Sequence, residues 1–132
     1  MNNLNNSIQT IEYVEVNKLI TQTWKATSEN LTAEDFKNQM LELAKYFKEL
    51  QPEKVLIDMR KFFFAVNPDL QDWVNENVNS KLAKVNAKTA FVVSSDLFTK
   101  ISVEQTLDEN DGAEVNSKFF DDYEDAKTWL IN

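Results

Sequence analysis

The 132-residue chain has no cysteine and no histidine. That removes thiol nucleophiles, zinc sites built on Cys or His, the Ser-His-Asp triad and the usual acid/base side chain of neutral pH. Without cysteine there is also no disulfide framework, which fits a reducing compartment. Gly112 is the sole glycine. Loops that wrap phosphate with backbone amides need several, so Rossmann and Walker-type nucleotide sites are excluded, and no other cofactor motif stands in their place. Cations are outnumbered, 14 basic to 22 acidic side chains, and the net charge of -8 repels phosphate backbones and anionic bilayers. Nucleic acid is not an expected partner. No apolar run approaches the roughly 20 residues of a membrane span, and "MNNLNNS" at the start lacks the basic and apolar regions of a signal peptide. The expectation is a soluble cytoplasmic protein.

What is present is ordinary globular material: 42% apolar and 27% charged residues, enough to argue against wholesale disorder. A chain of this length buries roughly two thirds of its unfolded surface and can hold one independent core. The expected organisation is a flexible N-terminus over 1–7 and a single domain over 8–132.

"SIQTIEYVE" (8–16) and "LITQTWKA" (19–26) alternate around Asn17-Lys18 and predict an antiparallel hairpin. Thr32 with Asp35 forms a capping box for a helix carrying Phe36, Met40, Leu43, Phe47 and Leu50, with Leu31 placed to pack on Phe36. The stripe lasts two heptads before Pro52, too short for a coiled coil, so one face of a sheet is its expected destination. "KVLIDM" (54–59) and "TAFVVS" (89–94) are short apolar runs typical of strands covered on both faces. Between them, Leu70, Trp73, Val74, Val78 and Leu82 predict a helix over 68–85 that starts after Asn67-Pro68. Ser95 or Asp96 caps a further helical segment over 96–110, with Ser102 and Gln105 as a second capping box. "AEVNSKF" (113–119) reads as an outer strand. Asp121 and Glu124 open a closing helix with Tyr123, Ala126, Trp129 and Leu130. Strands alternating with helices predict right-handed crossovers and a mainly parallel five-stranded sheet, with an antiparallel first strand and about four helices.

In this arrangement the chain resembles the STAS domains of SpoIIAA-like fold, and more closely a bacterial branch described as STAS/SEC14-domain or SpoIIAA-like proteins. The residues that carry the resemblance are "VLIDMRKFFFAVNPDLQDW" (55–73), "KTAFVVSSDLF" (88–98), "ISVEQT" (101–106) and "KFFDDYEDAKTWL" (118–130). The resemblance implies an α/β domain built as a right-handed β/α superhelix and used for protein interaction or small-ligand sensing rather than catalysis. The chain departs from the phosphoswitch members, which carry an Asp-Ser-Ser-Gly-like motif where this one has "AVNPDL". No serine or threonine lies between Ile57 and Asn79, so phosphorylation-driven partner switching is not carried over. The lipid carriers that share the branch's name are larger, with more helix around their cavity.

The candidate ligand or partner surface is Asp58, Arg60, Phe62, Phe63, Phe64, Asn67 and Trp73. It sits where the central strand leads into its loop, the end of an open α/β sheet at which ligands bind. The connection over 60–67 exceeds the usual 2 to 6 residues, and long loops more often carry function. One reading makes Asp58 and Arg60, the chain's only arginine, a polar pair at the mouth of an aromatic pocket. The other sends Phe62 and Phe64 into the core, lays Phe63 over a helix and pairs Arg60 with an acidic neighbour. "DENDG" (108–112) fails as a calcium loop: with Gly112 at position 6, Leu107 and Lys118 fall where acids are required. Ser94 and Ser95 read as helix caps rather than nucleophiles, because no histidine or lysine motif accompanies them.

Three functions follow as expectations. The first is a non-catalytic interaction or sensing module without the phosphorylatable serine of anti-sigma factor antagonists. The second is a binder of a small apolar, lipid-like ligand at the carboxyl end of the central strands. The third is a small enzyme working through carboxylates, whose separation in space a sequence does not give. No catalytic, cofactor or metal residue is assigned. A protein partner or an apolar ligand is the expected company, and nothing in the pattern indicates a homodimer.

Overall fold

The computed structural model describes residues 2–100 and 116–132. Six strands form one sheet whose spatial order follows the chain: β1 (Leu4–Asn5), β2 (Gln9–Val14), β3 (Leu19–Trp24), β4 (Lys54–Asp58), β5 (Lys88–Val92) and β6 (Ser117–Phe120). β1, β2 and β3 pair antiparallel, and β3 to β6 pair parallel. The architecture is therefore α/β with an antiparallel start.

One more strand is present than the pattern predicts. Leu4 and Asn5 pair with Ile11 and Thr10, because the Asn6 side chain accepts the amides of Ile8 and Gln9 at 2.8 and 2.9 Å and reverses the chain. Two residues are too few to show a period of two. At the other end of the hairpin, the expected second strand stops at Trp24, and 26–30 winds into a single 3₁₀ turn.

Helix α1 (Ala33–Leu50) starts on the expected capping box: the Asp35 amide donates to Thr32 Oγ1 at 3.1 Å, and the Asp35 carboxylate accepts the Thr32 amide. Its apolar stripe packs on the sheet as the spacing requires. It ends at Gln51 in the left-handed region, φ 46°, a conformation that a chain with one glycine must take with an ordinary side chain.

Helix α2 covers 68–85. Asn67 caps it, with Oδ1 accepting the Leu70 amide at 2.8 Å, and Pro68 fills the first turn. Its middle, Asn75–Asn79, is a π turn that the spacing does not reveal. Four residues overshoot an α-helical turn by about 40°. The wider turn absorbs that drift and keeps Val74, Val78 and Leu82 toward the sheet, where all three pack on the same core.

Helix α3 begins at 95, with the Leu97 amide donating to Ser94 Oγ at 3.3 Å. Of the two serines read as caps, Ser94 is thus the one that caps, in place of Ser95 or Asp96. The expected second capping box at Ser102, the acidic turn 108–112 and the first part of the strand expected over 113–119 lie outside the described residues. Helix α4 (Tyr123–Ile131) is capped by Asp122 rather than Asp121, with the Asp125 amide 3.0 Å from Asp122 Oδ1.

Side-chain alternation divides the core between the two faces of the sheet. Ile11, Ile20, Trp24, Val55 and Ile57 face α1 and α2 in the larger cluster. Leu19, Leu56, Ala90 and Val92 face α4 in the smaller one, with Ala126 and Leu130. β4 is buried on both sides, as its near-continuous apolar run predicts. No helix among the described residues is long and apolar enough to cross a membrane.

Candidate functional site

The carboxyl ends of β3 and β4 lie side by side, Thr23 opposite Asp58, and the chain leaves β4 there into 60–67. Its course is fixed by a buried hydroxyl. Ser28 Oγ donates to the Lys61 carbonyl at 3.0 Å and accepts the Phe63 amide at 2.9 Å, which ties the loop to the 3₁₀ turn.

The seven predicted residues separate into different places. Asp58, on the α4 face, holds Arg60 in a bidentate pair, with Nε 3.0 Å from Oδ1 and Nη2 2.7 Å from Oδ2; it also accepts the Arg60 amide at 3.1 Å. The carboxylate is buried and the guanidinium half-exposed. Arg60 lies over the Tyr123 ring of α4, 5.5 Å from its centroid. Burial raises the Tyr123 phenol above its ordinary pKa, the charges of Asp58, Glu12 and Glu124 push the same way, and Arg60 acts against them. The hydrogen bond to Asp58 raises the pKa of Arg60 in turn.

Phe62 and Phe64 turn to the other face. Phe62 sits 4.7 Å from Trp24 and Phe64 5.0 Å from Phe36, between ring centroids. Phe63 points out and is 56% exposed. Trp73 packs at the edge of the larger core with Lys37 5.6 Å from its ring, and Asn67 is occupied as the α2 cap. The structure thus joins Asp58 with Arg60 and Phe62 with Phe64, but does not set the polar pair at the mouth of the aromatic group. The reason is the turn at Arg60 and Lys61, closed by the Phe62 amide donating to the Met59 carbonyl at 3.1 Å: Phe62 and Phe64 share parity with Asp58, and the turn sends them to the face that Ile57 and Met59 take.

The concave spaces differ in chemistry. A groove of about 540 Å³ at the strand ends is lined by Thr23, Lys25, Asp58, Arg60 and Lys61. Both Asp58 oxygens are engaged with Arg60, so that carboxylate is not a free base. The second space, about 290 Å³, lies between the sheet and helices α1 and α2. Its wall includes Trp24 and Ile57 from the sheet, Phe36, Met40, Leu43 and Phe47 from α1, and Val74, Val78 and Leu82 from α2. Met59, Phe62 and Val66 line it where the chain leaves β4, and Phe91 and Phe119, stacked at 5.0 Å, line it from β5 and β6. Among the described residues its polar lining is Gln22, Gln71 and Asn79, with no charged side chain.

Of the predicted residues only Phe62 lines this cavity. The others were legible in part: Gln22 shares inward parity with Ile20 and Trp24 in "LITQTW", and a polar residue at an inward position of a strand is a signal of buried polar structure. Both methionines after the first residue, Met40 and Met59, line the cavity, and such side chains adapt to varied neighbours.

No family model, curated protein or solved structure matches the chain.

Proposed function

We propose that the chain is a non-catalytic interaction or sensing module of SpoIIAA-like fold, and that its input is a small apolar ligand held between the sheet and helices α1 and α2. The observation that carries the reading is the cavity of about 290 Å³, walled by side chains of both helices and four strands, with no charged group among the described residues that line it. Small-molecule sites have this character: concave, mostly apolar and of a few hundred Å³. The strand order, which repeats the chain order, and the placing of α1 and α2 on one face support a β/α superhelix. The phosphoswitch is not part of the proposal, because no hydroxyl of serine or threonine is available between Ile57 and Asn79.

In this reading a bound ligand acts on α1 and α2, the elements that wall it, and a protein partner reads their position. Phe63, exposed on the clamped loop, is the surface such a partner would meet. Native mass spectrometry of protein purified from its own host tests the ligand directly. The expected result is a co-purifying apolar small molecule released on denaturation. A uniform apo mass, together with no uptake of apolar probes, would overturn the proposal.

A further inference from the structure

Of the cavity's polar lining, Gln71 and Asn79 are exposed on α2, and only Gln22 of β3 is buried. Gln22 is 1% exposed, and a run of amides fixes which of its two ends faces its neighbour. The backbone carbonyl of Gln39 can only accept, so Gln9 must turn its NH2 group to α1, where Nε2 donates to that carbonyl at 2.9 Å. The same nitrogen donates to Gln39 Oε1 at 2.8 Å, which also accepts Asn6 Nδ2 at 3.0 Å. Gln9 Oε1 is therefore directed to β3 and receives Gln22 Nε2 at 2.6 Å. What remains is the Gln22 carbonyl. Among the described residues it accepts no hydrogen bond, yet it is not an enclosed orphan atom, and the space its side chain borders is the cavity.

A carbonyl that opens onto the cavity takes its donor from whatever fills that space, water or ligand, and among the described residues no lining side chain carries a formal charge. We propose that the ligand of this cavity is a neutral apolar molecule bearing one hydrogen-bond donor, a hydroxyl or ring N–H, which the Gln22 carbonyl accepts. A carboxylate is the wrong chemistry, since it would bring an acceptor to an acceptor and bury a charge without a counterion. Size narrows the class further. A cavity of about 150 Å³ holds benzene, so about twice that volume suits two fused rings or an alcohol of about ten carbons. The inference rests on the ligand reading of the cavity and adds the polar group that reading leaves open.

Calorimetric titration of the full chain with naphthalene, 1-naphthol and 1-naphthoate separates the two claims. The expected result is that 1-naphthol binds about tenfold more tightly than naphthalene, the worth of one hydrogen bond, while 1-naphthoate does not bind. In Gln22→Met, naphthalene binding should persist and the advantage of 1-naphthol should vanish. If naphthalene and 1-naphthol bind the wild-type protein equally, the donor inference is overturned and the cavity remains a ligand site. Failure of every probe overturns both. The wild-type comparison needs no variant, so a Gln22→Met protein that does not fold leaves the test intact.

Discussion

The hydroxyl of Ser28, wholly buried, accepts the amide of Phe63 across 35 positions of sequence while donating to the carbonyl of Lys61. Those two bonds fix the loop so that Phe62 turns in toward Trp24, Phe63 turns out, and Phe64 turns in toward Phe36. Ser28→Ala removes both at once. It should destabilise the domain by about 1–3 kcal/mol, the cost of leaving backbone groups short of partners. Urea melts measure this, and hydrogen exchange at the Phe63 amide should accelerate in step. Unchanged exchange would mean that the loop holds its course without Ser28.

The aromatic loop should respond unequally to truncation. Phe62→Ala and Phe64→Ala remove partly buried rings from a packed cluster and should each cost about 2–4 kcal/mol, somewhat below the range for fully buried phenylalanine. Phe63→Ala should stay within roughly 1 kcal/mol, as surface changes do. Urea melts of the three variants check the order, and equal losses would contradict it.

Much of this arrangement was legible in the residues. Helix α1 could be read to its cap because Thr32, Asp35 and the stripe from Phe36 to Leu50 are all local signals. β4 could be read as central because a strand covered on both faces has no polar parity to preserve. The site was legible only by location. Alternation predicts that Phe62 and Phe64 share a face, but "DMRKFFF" says nothing of which face each residue takes past the strand end, and there Asp58 with Arg60 parted from the rings. The cavity was not legible at all, because its walls come from elements far apart in sequence, and the π turn that keeps Val78 on its wall leaves no mark in the spacing.

Arg60→Ala should cost more than its half-exposed side chain suggests. It leaves the buried Asp58 carboxylate with one backbone amide in place of a bidentate partner, and removing one member of a buried pair is strongly destabilising. With the arginine partly in water the expected loss is about 2–3 kcal/mol. Urea melts of the variant against wild type measure the loss. A loss below about 0.5 kcal/mol, the scale of neutral surface changes, would contradict this.

Tyr123 gives a dependence on alkaline pH. Its phenol is raised above the ordinary value of about 10 in the folded protein, first by burial. The unfolded chain therefore ionises before the folded one. Stability from the neutral phenol is whole below about pH 10 and is lost as pH rises through the folded pKa. Tyr123→Phe has nothing to ionise, so its melts between about pH 9 and pH 11 should fall less steeply than those of wild type. Parallel curves would show that the phenol titrates alike in both states.

The most direct test of the account is where an apolar probe binds. In a titration of the isotopically labelled chain with 1-naphthol followed by methyl NMR, the account predicts saturable shifts at Met40, Leu43, Met59, Val78 and Leu82, which wall the cavity, while the exposed Val16 and Leu97 stay in place. Shifts that never saturate, or that appear at Val16 and Leu97 but not at the cavity methyls, would contradict it.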